Sequence, residues 1–254
     1  MAAPDGGVGA SLAWIVTAFT AARAFAMAMN RILDREFDAQ NPRTAGRHLP
    51  TGAISPAAAS GFAAACAGVL VFSAWKLNPL CFYLSPLLLA YLTFYSLTKR
   101  FTQWSHLALG AALGAAPIAA EIAILGAVTA PTLVLGLAVV FWVAGFDVFY
   151  ACQDIDFDHR AGLFSLPARL GKDKALRAAQ GFHTLTLMLF FGYGHLAGLG
   201  RIYFLSQAVV LGLLIYEHVL ARHGRIGPAF FQLNGILSLL QLSAVAADIA
   251  FGSV

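Results

Sequence analysis

Eight apolar runs, each about 20 residues long, constrain the fold of this chain more than any other feature. A helix of that length crosses the hydrocarbon core of a bilayer. The runs lie near residues 9–33, 55–76, 79–97, 104–125, 130–153, 173–197, 201–221 and 228–250. Only 11% of the 254 residues are charged, against roughly 25% in soluble domains. We therefore predict an all-α, polytopic transmembrane helical bundle of about eight spans, with residues 1–254 forming one domain.

The basic residues between the spans predict how the bundle is oriented. Only Lys76 and Arg201 fall on one side of the predicted bilayer, whereas the other side holds Arg31, Arg35, Arg43, Arg47, Lys99, Arg100, Arg160, Arg169, Lys172, Lys174, Arg177, Arg222 and Arg225. Such an excess of Lys and Arg marks the cytoplasmic side. We expect a multi-pass protein of the cell (inner or plasma) membrane with its polar loops in the cytoplasm. This placement explains the net charge of +4, so no nucleic-acid partner is expected.

Polar residues recur on one face of the first span. Arg23, Asn30 and Asp34 are separated by offsets of 0, 7 and 11 residues, which places them within about 20° of each other on a helix. Asp38 extends that face if the helix continues. Residues 30–38 are termed the first aspartate segment.

The fifth span repeats the spacing. Asp147, Asp154 and Asp158 have the same offsets, and Tyr150 precedes Asp154 by one turn. Residues 147–158 are termed the second aspartate segment. A Leu-Pro pair follows each segment, and Asp34 lies 120 residues before Asp154. This repetition predicts two four-helix pseudo-repeats, at about residues 9–125 and 130–250.

Seven acidic residues are gathered near one predicted membrane surface: Asp34, Glu36, Asp38, Asp147, Asp154, Asp156 and Asp158. Mutual repulsion makes such a cluster favourable when divalent cations occupy it, and all-oxygen ligands favour Mg²⁺ over zinc. Two facing carboxylate stripes predict a metal–diphosphate clamp. An ion-coupled transporter is the alternative, although it would place its acids near the bilayer midplane. The helix-end positions favour the clamp.

Three ordered motifs resemble those of the UbiA superfamily of membrane prenyltransferases. They are NRILDREFDAQNPRTAGRHLP at residues 30–50, YSLTKR at residues 95–100 and DVFYACQDIDFDHRAGLFSLP at residues 147–167. The resemblance extends from about residue 10 to the end of the chain. It implies Mg²⁺-dependent transfer of a polyprenyl group from its diphosphate to an aromatic acid, within a helical bundle that opens laterally to the lipid bilayer.

The resemblance also implies roles for individual residues. The implied Mg²⁺ ligands are Asn30, Asp34, Asp38, Asp154 and Asp158. The implied substrate-binding residues are Arg23, Arg43, Arg47, Lys99 and Asp147. Asp34, Asp154, Lys99 and Tyr150 are the implied catalytic residues. The basic residues would neutralise charge on the leaving diphosphate, and aromatic rings would stabilise the allylic cation.

The acceptor is left open between two aromatic acids, with other ring systems as further alternatives. The motifs are most similar to those of 4-hydroxybenzoate polyprenyltransferases of ubiquinone biosynthesis, some of which serve the menaquinone route through 1,4-dihydroxy-6-naphthoate. Arg23 is expected either to bind the acceptor carboxylate or to neutralise Asp34.

Two further expectations concern features outside the motifs. Family members usually have nine spans, so the first family helix is expected to be missing before Ala10, which would leave an open flank or an inactive relative. Among the histidines, His106, His183, His195, His218 and His223 have no metal-ligand spacing and are assigned no role. Small residues such as Gly110 and Gly114 are predicted to permit close helix packing.

Overall fold

A computed structural model describes the backbone of residues 7–251 and the side chains of residues 9–227 and 232–251. The described chain contains eight long helices: α1 (Gly7–Leu33), α3 (Pro56–Leu77), α4 (Pro79–Leu97), α5 (Ser105–Leu125), α6 (Ala130–Ala151), α9 (Lys172–Leu196), α10 (Arg201–Arg222) and α11 (Pro228–Phe251). Three short helices lie in the connections: α2 (Arg35–Gln40), α7 (Ile155–Ala161) and α8 (Leu166–Leu170). A single 3-10 turn, Thr98–Arg100, follows α4.

Seven of the long helices are long and apolar enough to cross a membrane. The remaining helix, α9, has 25 residues, but its first two turns carry Lys172, Asp173, Lys174 and Arg177. Each predicted span agrees with its helix to within two residues at both ends. The prediction of a polytopic helical membrane bundle is confirmed.

Helix boundaries follow from local capping chemistry. Helices α3 and α4 each begin with a proline, whose fixed φ suits the first turn. The Ser55 hydroxyl accepts a hydrogen bond from the Ala58 amide at 3.1 Å, and Asn78 Oδ1 accepts one from the Cys81 amide at 2.9 Å. The side-chain amide of Asn78 also donates to the Ile122 carbonyl at 2.8 Å. This bond ties the tight α3–α4 turn to the end of α5.

Helices α1, α3, α4 and α5 pack against one another, α6, α9, α10 and α11 follow as a second set, and the most extensive contact in the described chain is between α5 and α6. In the first set α1 packs most extensively against α3, and in the second α6 packs most extensively against α9. The α5–α6 contact depends on small residues, because a Cβ atom at Gly110 or Gly114 would overlap the backbone carbonyl of Val140 or Gly136. The predicted packing role of these glycines is confirmed. The pseudo-repeat itself remains a prediction.

The long helices that carry the aspartates both stop before their segments are complete. Helix α1 ends at Leu33 and α6 ends at Ala151, so the aspartate stripes do not lie on unbroken helices. Asp34 (φ −94°, ψ 8°) and Asp154 (φ −110°, ψ 9°) precede α2 and α7. A helical i→i−4 hydrogen bond follows each break, since the amides of Asp38 and Asp158 donate to the carbonyls of Asp34 and Asp154 at 2.7 Å. Both segments therefore stay at the same end of their long helices.

Candidate active site

A cavity of about 310 Å³ lies at that end of the bundle, where the two aspartate segments meet. Every site residue predicted from the sequence lines it except Arg23 and Asp158. The predicted residues in its wall are Asn30, Asp34, Asp38, Arg43, Arg47, Lys99, Asp147, Tyr150 and Asp154. The structure thus brings oxygen donors from α1, α2 and α6 together with the side chains of basic loop residues.

Asp34 is the more open carboxylate of the first segment. Its Oδ2 accepts a hydrogen bond from the Asn30 amide at 3.0 Å, and Arg100 Nη2 lies 3.4 Å from its Oδ1. Arg100 is held in place by donating to the Leu33 carbonyl at 2.7 Å. Burial raises the pKa of Asp34 above its ordinary value, although the Arg100 guanidinium opposes that rise.

Asp38 is buried beneath the loop that follows α2. Arg47 Nη1 lies 2.5 Å from its Oδ1, and Arg31 Nη1 lies 3.8 Å from its Oδ2. The Thr44 hydroxyl donates to the Asp38 carbonyl at 3.0 Å, which fixes the loop over the carboxylate. Asp38 Oδ2 has no hydrogen-bond partner among the residues whose side chains are described. This oxygen is therefore available to a cation.

Asp154 is the most heavily bonded carboxylate of the site. It accepts hydrogen bonds from the Asn41 amide at 3.0 Å, from Arg43 Nε at 2.9 Å and from Arg43 Nη2 at 2.5 Å. Burial alone would raise the pKa of Asp154, but these donors outweigh it and hold the pKa below its ordinary value. The same hydrogen bonds raise the pKa of Arg43. The loop after α2 is thereby fastened to the second aspartate segment.

Asp158 lies behind the cavity wall, with its side chain fully buried. Lys99 Nζ lies 2.7 Å from its Oδ1, and the Ser165 hydroxyl donates to its Oδ2 at 2.8 Å. The Lys99 carbonyl in turn accepts from the Phe164 amide at 2.7 Å. Lys99 therefore joins the buried carboxylate to the cavity, in whose wall it also lies.

Arg23 lies apart from the cavity. It is exposed on α1, two turns before Asn30. One of the two expectations for Arg23 was that it neutralises Asp34, but the basic side chain beside Asp34 is that of Arg100. Sequence reasoning did not single out Asn41 or Arg100, although both lie inside the quoted motifs.

His106, which was assigned no role from the sequence, lines the cavity, and its Nδ1 lies 2.7 Å from Asp147 Oδ2. Helix packing makes that contact across 41 residues of sequence, so no local spacing signals it.

The residues present fit Mg²⁺. The candidate ligands offer only carboxylate and amide oxygens, which a hard cation prefers. Asp38 Oδ2 is buried without a hydrogen bond. Within the described part of the chain no three acidic, histidine or cysteine side chains converge on one point, and Asp34, Asp38, Asp154 and Asp158 instead contact Lys or Arg side chains.

Asp34 and Asp154 follow the ends of their helices, unlike the midplane acids of a transporter.

Comparison with known proteins agrees with this chemistry. Residues 1–235 match the UbiA prenyltransferase family. The chain is 32% identical to a 4-hydroxybenzoate octaprenyltransferase from Paraburkholderia phytofirmans over 233 residues, covering 91% of this chain and 81% of that protein. It is 30% identical to one from Azoarcus sp. over 226 residues, covering 88% and 78%.

Solved structures share the fold. The apo structure of a UbiA homologue from Aeropyrum pernix superimposes with a TM-score of 0.87 and 34% identity, covering 94% of this chain and 90% of that one. A UbiA homologue from Archaeoglobus fulgidus, bound to DMAPP and Mg²⁺, superimposes with a TM-score of 0.72 and 21% identity, covering 98% and 90%. The motifs, the cavity and these likenesses together show that the chain belongs to the UbiA family of membrane prenyltransferases.

Proposed function

We propose that this protein transfers a polyprenyl group from a polyprenyl diphosphate to 4-hydroxybenzoate with the help of Mg²⁺. The observation that carries the proposal is one cavity that combines oxygen donors from both aspartate segments with Arg43, Arg47 and Lys99. A diphosphate requires cations on several sides, and this wall supplies both basic side chains and metal ligands. The names of the curated relatives, and the DMAPP and Mg²⁺ bound to the Archaeoglobus fulgidus homologue, support the same chemistry.

The metal would be held by the oxygens of both segments that line the cavity, namely those of Asn30, Asp34, Asp38 and Asp154, whereas Asp158 lies behind the wall and contacts Lys99. Bound Mg²⁺ supplies positive charge that offsets the charge of the diphosphate and makes it a better leaving group. Arg43 and Arg47 bind the same anion from the loop side. Lys99 lines the cavity and donates to the oxygen on which negative charge develops.

Breaking the donor C–O bond leaves its electron pair on the diphosphate and a positive charge on the allylic carbon. Tyr150 lines the cavity one turn before Asp154, and its aromatic ring is the group proposed to stabilise the cation. An electron-rich ring carbon of the acceptor then attacks the allylic carbon.

Arg23 binds the acceptor carboxylate. It lies deeper than the cavity on the Asn30 face of α1 and has no ion-pair partner within the described side chains. A guanidinium recognises a planar carboxylate through two parallel hydrogen bonds. Since 4-hydroxybenzoate and 1,4-dihydroxy-6-naphthoate both carry a carboxylate, Arg23 does not distinguish them. The curated relatives favour 4-hydroxybenzoate, and the naphthoate is the second candidate.

The test is prenyl transfer in membranes that contain this protein, with a polyprenyl diphosphate and Mg²⁺. Each of the two acids is offered separately, and EDTA is the control. Product from 4-hydroxybenzoate that disappears with EDTA supports the proposal. Product from the naphthoate alone would move the protein to the menaquinone route, and no product from either acid would overturn the proposal.

The role of Arg23 is tested with Arg23→Leu. Loss of a charge-assisted hydrogen bond predicts a KM for the acceptor that rises by about 10-fold while the KM for the donor is unchanged. Arg201→Leu, at the exposed start of α10, is the matched control and leaves both constants unchanged. An unchanged acceptor KM in Arg23→Leu would contradict the assignment.

We further propose that the cavity faces the cytoplasm. Glu36 lies beside the cavity end of the bundle and Lys76 at the other end, and both are exposed. In intact cells, a membrane-impermeant thiol reagent should label Lys76→Cys but not Glu36→Cys, after subtraction of labelling at the native cysteines. The opposite labelling pattern would invert the orientation.

A further inference from the structure

His106 and Asp147 form a polar pair inside the bundle. This pair takes no part in the contacts between the other aspartates and their Lys or Arg partners. His106 is 2% exposed at the start of α5, and its Nδ1 lies 2.7 Å from Asp147 Oδ2 on α6. The backbone amide of Leu166 donates to His106 Nε2 at 3.2 Å. Because Nε2 accepts a hydrogen bond, the proton of the neutral ring is on Nδ1 and points at the carboxylate.

Asp147 differs from the other four aspartates in what it contacts. Asp34, Asp38, Asp154 and Asp158 each have a Lys or Arg side chain within 4.0 Å. Within the described chain, the one basic side chain that lies within 4.0 Å of Asp147 is His106. A neutral imidazole orients a carboxylate without cancelling its charge. The contact with His106 therefore leaves Asp147 without a Lys or Arg partner within the described chain.

The free side of Asp147 faces the cavity. Its side chain is 30% exposed, it lies in the cavity wall, and no hydrogen bond to Oδ1 occurs within the described side chains. Asp147 precedes Asp154 by seven residues, which at 1.5 Å per residue places it about 10 Å deeper along α6. Arg23 lies deeper still on α1. Asp147 therefore lies at a level between the proposed metal ligands and Arg23, which is the level at which the acceptor ring is proposed to bind.

We propose that Asp147 accepts the proton which the acceptor ring releases, and that His106 is the residue that positions Asp147; this inference rests on the proposed function. After the new C–C bond forms, the attacked ring carbon still holds its hydrogen. Asp147 Oδ1 takes that proton, the C–H electron pair restores the aromatic ring, and the proton then passes to water in the cavity. The products are the prenylated acid, diphosphate and one proton.

Asp147→Asn tests the proton acceptor. With geranyl diphosphate, Mg²⁺ and 4-hydroxybenzoate, we expect kcat to fall by about 100-fold, the typical contribution of a general base, while the KM for geranyl diphosphate is unchanged. Acceptor deuterated at the ring positions beside the hydroxyl should react more slowly than unlabelled acceptor in this variant, because C–H cleavage becomes rate-limiting. The wild type should show a smaller isotope effect. Asp173→Asn, at the exposed start of α9, is the control.

The positioning role is tested with two variants of His106. His106→Asn keeps an N–H donor near the position of Nδ1 and should retain most of the activity, whereas His106→Leu removes the donor and should lower kcat by about 10-fold. His106→Leu should also gain the isotope effect, which a purely structural defect would not produce. His195→Asn, exposed at the end of α9, is the control. Thermal unfolding in detergent identifies any variant that does not fold.

Each outcome supports or overturns the inference. Full activity in Asp147→Asn, or a slower Asp147→Asn with no isotope effect, would overturn it while leaving prenyl transfer intact. If Asp147→Asn does not fold, equal rates and equal isotope effects in His106→Leu and the wild type would overturn it. A wild-type protein that prenylates no acceptor would instead contradict the proposed function.

Discussion

Asp34 and Asp154 occupy the same place in their segments, with nearly the same φ and ψ and the same i→i−4 hydrogen bond after the break. Their surroundings differ. The Asp34 side chain is 29% exposed and has one basic partner, Arg100 at 3.4 Å, whereas the Asp154 side chain is 9% exposed and accepts two hydrogen bonds from Arg43 and one from Asn41. Equal backbone geometry therefore does not give equal electrostatics.

The second pair shows where the difference originates. Asp38 contacts Arg47 from its own half of the chain, but Asp158 contacts Lys99, which belongs to the other half. Among the described side chains, the closest Lys or Arg partners of Asp34, Asp38, Asp154 and Asp158 come from the loop after α2 and the turn after α4. Arg169 of the second half lies over the Phe164 ring instead. Loops of the first half thus hold the carboxylates of both halves.

The largest expected effect is one that the two segments share. Asp34→Ala and Asp154→Ala each remove a proposed metal ligand, so prenyl transfer should fall by about 1000-fold or more in both. Glu36→Gln and Asp156→Asn, exposed beside the same segments, are the controls for activity. Near-normal turnover in either alanine variant would show that its segment does not contribute to the metal site.

The two segments should differ in how much stability the protein loses when their basic partners are removed. Lys99→Met leaves the fully buried Asp158 carboxylate without its cation and should destabilise the protein by about 3 kcal/mol. Arg100→Met leaves only the partly exposed Asp34, and the expected loss is below about 1 kcal/mol. Thermal unfolding in detergent measures both. Equal losses would contradict the difference in burial between Asp158 and Asp34.

Ser165→Ala should destabilise the protein by about 2 kcal/mol, since it removes the hydroxyl that donates to the buried Asp158 Oδ2. The same hydroxyl accepts from the Ala168 amide at the start of α8. Ser55→Ala, an exposed N-cap with the equivalent helix contact, measures the capping part alone. If the two variants lose the same stability, the bond to Asp158 contributes nothing.

Arg43→Gln should have the smallest effect, about 1 kcal/mol, because the Arg43 side chain is half exposed and solvent screens the pair. The folded-state pKa of Asp154 lies below its unfolded value, so its stabilising contribution is present above the unfolded pKa and is lost as pH falls through the folded pKa. The stability difference between wild type and variant, measured in EDTA, should be full at neutral pH and shrink in acid. A stability difference that does not change with pH would show that it does not arise from the Arg43–Asp154 pair.

Much of the site was predictable because it lies in short segments whose spacing survives folding. Offsets of 4 and 7 residues place side chains on one helical face, so Asn30, Asp34, Asp38 and Asp154 could be assigned before their contacts were known. The break at Asp34 was not predictable from residue spacing. The Asp38 amide still donates to the Asp34 carbonyl, so the i→i−4 hydrogen-bond spacing of a helix continues on the far side of the break. The burial of Asp158 behind Lys99 and the exposure of Arg23 depend on packing between distant elements.

The sequence by itself determined the helical membrane bundle, its span boundaries and the two aspartate segments, because apolar length and helical periodicity are local properties. Only the tertiary structure decided which cation meets which carboxylate. Arg43 reaches Asp154 across 111 residues, and His106 reaches Asp147 across 41. Such contacts depend on how the long helices pack and where their loops return, and the strength of each ionic contact depends on the burial which that packing creates.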